Sequence, residues 1–102
     1  MIKDSDDAKL QELGYERYDL DESWRKKWHK FVEYAGKKFE LRIRQSTVSE
    51  ELTYHQPLVA KLRDVTGSVF GTGFEVWFSH DVNELHEKMT KEIEEQNPIA
   101  LQ

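Results

Sequence analysis

Phe39-Glu40-Leu41-Arg42-Ile43-Arg44 alternates apolar and charged side chains without interruption. A period of two puts every apolar member on one side of an extended backbone and every charged member on the other. The segment therefore reads as a half-buried strand, the clearest in the chain. A sheet that is apolar on one face and solvated on the other is typically antiparallel.

The segment before it is harder to read. As a helix, residues 24–35 place Trp24, Trp28, Phe31, Val32 and Ala35 on one face, and pattern counting favours that reading. As a strand, Trp24, Trp28, Val32 and Tyr34 share a face with Lys26 and Lys30. Trp, Phe, Val and Tyr are strand formers, and Gly36-Lys37 offers a two-residue turn with Gly first, as a type II′ hairpin requires. That turn sets Tyr34 opposite Phe39 and Val32 opposite Leu41, both favourable apolar pairs. It also sets Glu33 opposite Glu40, which counts against it. The hairpin is the expectation adopted.

Around this pair the remaining elements follow from local signals. A first helix is expected from Asp4 or Ser5 to Leu13, with Asp4, Asp6 and Asp7 at its positive end and Gly14 just past its last turn. Residues 15–20 read as a short strand. Residues 46–66 look largely helical, since Val48, Leu52, His55, Val59 and Leu62 recur at helical spacing. Pro57 forces a break there and opens the second piece, although residues 52–55 are alternatively extended. Three glycines between Gly67 and Gly73 mark a loop. Residues 74–78 form a strand with Phe74, Val76 and Phe78 on one face and Trp77 on the other. The last helix is capped by Asp81 with Glu84 three residues on, carries the stripe Val82, Leu85, Met89 and Ile93, and stops before Asn97-Pro98. Ile99-Ala100-Leu101 is a short apolar tail that docks back or frays. The expected fold class is α+β in the order α-β-β-β-α-β-α. It has a small, mostly antiparallel sheet of three to four strands, with helices packed mainly on one face and one domain over residues 1–102.

Composition narrows the chemistry. The chain has no Cys, which excludes disulfides, thiolate metal sites and Cys nucleophiles. The N-terminal residues are acidic where a secretion signal needs an apolar core, and no apolar run approaches the ~20 residues of a membrane span. A soluble, cytoplasmic protein is expected. The net charge of −5 hides an uneven distribution: residues 24–44 hold eight Lys/Arg against Glu33 and Glu40, and both flanks are acidic. If the hairpin forms, Arg25, Lys27, His29, Lys38, Arg42 and Arg44 project from one sheet face. Clustered cations neutralise phosphates, and a sheet with aromatics nearby stacks single-stranded bases. The plainer reading is a solvated face whose charge pairs with the acidic helices of the same molecule.

Catalytic patterns are weak. Ser79-His80-Asp81 holds the triad residue types, but adjacency is not triad geometry, and Asp81 already serves as a cap. His86-Glu87 begins like a zinc-protease helix, yet Thr90 stands where the second His would be. The glycine loop leads into a strand, whereas a phosphate cradle opens into a helix. The carboxylate pairs Asp6/Asp7, Glu50/Glu51 and Glu94/Glu95 lack an apolar setting that would raise a pKa. No cofactor, metal or membrane association is expected. The leading expectation is a non-enzymatic interaction or regulatory module with a protein partner, or a homodimer joined through an exposed strand or Trp77, whose indole suits an interface. A nucleic-acid-binding protein using residues 24–44 ranks second, and a metal-dependent enzyme third.

Overall fold

In a computed structural model of the protein, residues 4–18, 26–67 and 72–96 are described. The elements are α1 (Asp4–Glu12), β1 (Glu16–Arg17), β2 (Lys27–Tyr34), β3 (Lys37–Gln45), α2 (Val48–Tyr54), β4 (Leu58–Asp64), β5 (Thr72–Ser79) and α3 (Val82–Gln96). The five strands form one antiparallel sheet in the order β1-β2-β3-β4-β5. The class is α+β, with five strands where three to four were expected.

The extra strand is β4. Residues 58–64 were expected to continue a helix after Pro57, and they are extended instead. Leu58, Ala60 and Leu62 are buried on one face while Lys61 and Arg63 lie on the other. The alternation is disguised by Val59, which shares the polar face but is fully buried between its neighbours Arg44 and Phe78. An apolar run of three residues then mimics part of a helical stripe. α2 ends before it, at His55 in the left-handed region (φ 57°), whose N–H donates to Glu51 O.

The β2–β3 hairpin forms, but its turn is Ala35-Gly36 rather than Gly36-Lys37. Both turn residues have positive φ, 54° and 78°, as a type I′ turn requires, and that turn matches the natural twist of paired strands. The register therefore slips by two residues from the expected one. Val32 faces Phe39, Tyr34 faces Lys37, and Glu33 faces Lys38, so the feared Glu33–Glu40 opposition does not arise. Ala35 adopts a conformation that is disfavoured for any residue with a Cβ. Ala35→Asn is expected to stabilise the fold by about 0.5–1 kcal/mol, because Asn tolerates the left-handed region and suits type I′ turns. A rise in the urea midpoint of unfolding at unchanged slope is the readout.

α1 ends as the sequence indicates. Gly14 has φ 92°, its N–H donates to Gln11 O, and Tyr15 N–H donates to Leu10 O. This pairing closes the last turn and delivers Leu10 and Tyr15 together into the core. α3 packs across β3, β4 and β5, and α1 packs against α3. The stripe Val82, Leu85, Met89 and Ile93 is buried as expected, and each such side chain contributes about 1.5–3 kcal/mol by leaving water. Asp81 accepts from Asn83 N–H. The Asp81 N–H does not reach Glu84 but donates to Ser79 Oγ, which in turn donates to Glu84. Trp28, Leu41, Ile43, Phe39, Leu58, Ala60 and Leu62 complete the core on this side of the sheet. No helix among the described residues is long and apolar enough to cross a membrane.

Candidate ligand-binding face

With α1 and α3 on one side, α2 is the element among the described residues that covers the other side of the sheet, and it does so at one end. The strand register settles which side chains stand there. Lys27 faces Arg44, His29 faces Arg42, and Glu33 faces Lys38 across β2 and β3. The expected residues Lys27, His29, Lys38, Arg42 and Arg44 thus share one face, and Arg25 lies outside the described residues. β4 adds Lys61 and Arg63, opposite Arg42 and Glu40. β5 adds Val76 and Phe78. The two β4 cations were missed because their segment read as helix, although the Leu58/Ala60/Leu62 alternation carried the signal.

At the centre of this face is a carboxylate. Glu40 is 3 % exposed. Its Oε2 lies 2.9 Å from His29 Nδ1, and its Oε1 accepts from Arg63 Nε at 2.7 Å with Arg42 Nε at 3.0 Å. Burial by itself would raise the Glu40 pKa. The His29 hydrogen bond, the Arg42 ion pair and the Arg63 hydrogen bond outweigh it and hold the carboxyl below its ordinary value. With Glu40 ionised, the proton at the His29 contact sits on Nδ1. One anion thus gathers two guanidiniums and an imidazole into a fixed array.

Aromatic rings stand beside the array. Tyr18 stacks on His29 with centroids 4.5 Å apart and planes 29° apart. His29 meets Phe31 edge-on at 5.1 Å. Arg42 lies 5.6 Å from the Tyr18 ring and Lys38 lies 5.0 Å from the Phe31 ring, distances at which cation–π attraction acts. Phe31 is 49 % exposed. Tyr18 remains a neutral phenol: burial raises its pKa, partly offset by Arg42.

Not all of the basic segment serves this face. Lys26 pairs with Asp7 of α1, and Lys30 Nζ donates to Leu13 O at 2.8 Å, so both are committed to the helix side. Arg44 is committed to α2. Its two terminal nitrogens donate to the two Glu50 oxygens at 2.7 and 3.0 Å. Glu50 also accepts from Thr47 N–H, and Thr47 Oγ1 accepts from Glu50 N–H. The Arg44 hydrogen bonds, against the opposing effect of burial and with help from Thr47, bring the Glu50 pKa down to about 2. Since α2 buries none of its own residues, this clamp and the stacking of Tyr54 on Phe78 at 4.1 Å hold it to the sheet.

The other sequence candidates lie elsewhere. Trp77 faces Ala60 and packs, half-buried, against the core on the helix side. Ser79 Oγ donates to Glu84 and is buried, while His80 is exposed. His86 Nδ1 lies 2.9 Å from the Tyr15 hydroxyl; burial, then the charge of Lys30, lowers its pKa. A half-open cleft of about 220 Å³ lies beside it, between α3 and β2, lined in part by Lys30, Val32, Leu41 and Thr90. Among the described residues, no group of three or more His, Asp or Glu side chains is placed to hold a metal ion. Comparison of the chain with protein families, with curated proteins and with solved structures finds no match to any of them.

Proposed function

We propose that this is a non-enzymatic binding protein whose working surface is the open face of the sheet, and that its ligand is single-stranded nucleic acid. The observation that carries the reading is the Tyr18–His29–Phe31 ring series set beside Lys27, Lys38, Arg42, Lys61 and Arg63 on that face. Cations track a phosphate backbone, and exposed rings stack bases whatever their identity. The side of the sheet away from α1 and α3 gives splayed bases room to lie across several strands. The net charge of −5 disfavours a long duplex through longer-range repulsion.

Anisotropy of a labelled oligothymidylate tests this. If about four cations contact phosphates, the affinity falls on the order of 50-fold between roughly 50 and 200 mM salt. Phe31→Ala removes a stacking ring from an exposed position and weakens binding by about 5- to 100-fold, with the fold intact by circular dichroism. Absence of binding at low salt, or full affinity in Phe31→Ala, overturns the reading.

A second reading, a protein-interaction module, rests on a different observation. Val48, Leu52 and Tyr54 of α2 and Val76 of β5 are exposed apolar side chains at the opposite end of the same face.

A further inference from the structure

The two edges of the sheet are unlike. At one, β1 is two residues long and both are charged, Glu16 and Arg17. Shortness and charge are ordinary guards against edge-to-edge pairing. At the other edge, β5 runs eight residues, Thr72–Ser79, with Glu75 its single charge and no Lys or Pro. Among the described residues it pairs on one side only, with β4. Val76, in the middle of the strand, is 44 % exposed. α2 brings more apolar surface to the same end, since Tyr54 stacks on Phe78 and Leu52 is 72 % exposed.

We infer that β5 pairs antiparallel with β5 of a second copy, across a two-fold axis at Val76 perpendicular to the sheet. The strand suits itself as a partner. A two-fold of that kind keeps both open faces on the same side, so residues of equal parity meet across the junction. An axis at Val76 sets Val76 against Val76 and Glu75 against Trp77, while an axis at Glu75 would oppose two carboxylates directly. An interface of this symmetry needs one patch that complements itself, and the run around Val76 provides it. The junction joins two five-stranded halves into one sheet and leaves both ring series, near β1 and β2, at its far ends. It is independent of the nucleic-acid reading and responds to salt in the opposite sense. Each copy carries −5, so screening strengthens the dimer while it weakens phosphate contacts.

The absence of Cys from the sequence makes the test direct. Opposed residues in an antiparallel pair have Cα atoms about 4.5–5.5 Å apart, within the range a disulfide spans. Val76→Cys is expected to cross-link to a covalent dimer under mild oxidation, while Lys37→Cys, at the hairpin end of β3, stays largely monomeric. Light scattering at about 100 μM, a concentration ample for a micromolar dimer, is expected to give twice the 12.1 kDa chain mass. Val76→Lys, an exposed substitution that leaves the circular dichroism unchanged, is expected to restore the monomer. A monomeric wild-type protein, a dimer that survives Val76→Lys, or Val76→Cys cross-linking no faster than Lys37→Cys overturns the inference.

Discussion

Trp28→Ala is expected to lower stability by about 3–5 kcal/mol, the range for removing a large aromatic from a packed core. Trp28 is 2 % exposed and stands on the helix-facing side of the sheet. It lies opposite Ile43 on β3 and Arg17 on β1, with the Arg17 guanidinium 5.7 Å from its ring. Both neighbours therefore lose a contact surface at once. Domains of this size have a total stability of about 5–15 kcal/mol, so the variant sits near the edge of folding. Trp28→Phe is informative beside it. The indole N–H is buried and has no hydrogen-bond partner among the described residues, so a phenyl ring gives up no hydrogen bond and removes an unsatisfied donor. The Phe variant is expected to lose less than half of what the Ala variant loses. Urea unfolding followed by circular dichroism separates the two. A loss under about 1.5 kcal/mol for Trp28→Ala would contradict the central place given to this residue.

The second large effect is at Glu40. Breaking a buried ion pair from one side costs about 3–5 kcal/mol when the remaining charge is sealed in. Here the partners are partly open, with His29, Arg42 and Arg63 side chains 22, 30 and 15 % exposed, and they recover some hydration. Glu40→Ala is therefore expected to cost about 2–3 kcal/mol, and Glu40→Gln, which keeps an acceptor, about 1–2. The pH dependence follows from the direction of the shift. Glu40 is held below its ordinary pKa, so its contribution is complete above the unfolded value, about 4.3. It is lost as the pH falls through the lower, folded value. The gap between wild type and Glu40→Gln should be largest near neutrality and close as the solution is acidified. A gap that stays constant down to about pH 2 would show that the carboxylate charge contributes nothing.

How much of this was legible in the sequence depends on whether a residue acts on its own neighbours or on distant ones. α3 was readable because Asp81, the Val82-to-Ile93 stripe and Asn97-Pro98 are all local signals. The strand 39–44 was readable for the same reason, and Lys27, His29, Lys38, Arg42 and Arg44 do share a face. The hairpin register was not, since Ala35 gives no hint that it enters the left-handed region; the twist of two strands demands it. β4 was hidden because Val59 is buried on the side where alternation calls for a polar residue. The reason lies in contacts with Arg44, Phe78 and the end covered by α2, which no window of sequence displays. Arg44 shows the same limit at the site. It sits among the cations by parity, but Glu50, six residues on, engages both of its terminal nitrogens. Glu40 read as one of two acids in a basic stretch, and its place under two guanidiniums and an imidazole appears only once β2, β3 and β4 are side by side.

The strand order has a consequence for how the molecule assembles. Each strand lies next to the one that precedes it in the chain, so each step of the ladder closes only the connection between consecutive strands, and closure entropy grows slowly with its length. The β3–β4 pairing reaches across α2 to join residues as far apart as Phe39 and Asp64. The packing of α3 across β3 and β4 and against α1 brings still more distant parts of the chain together. The tightest closure is the two-residue β2–β3 turn, so the sheet can zip outward from that hairpin. Until α3 arrives, Leu41 and Ile43 on β3 lack their cover, and the last long element of the chain is the one that closes the core over β3, β4 and β5.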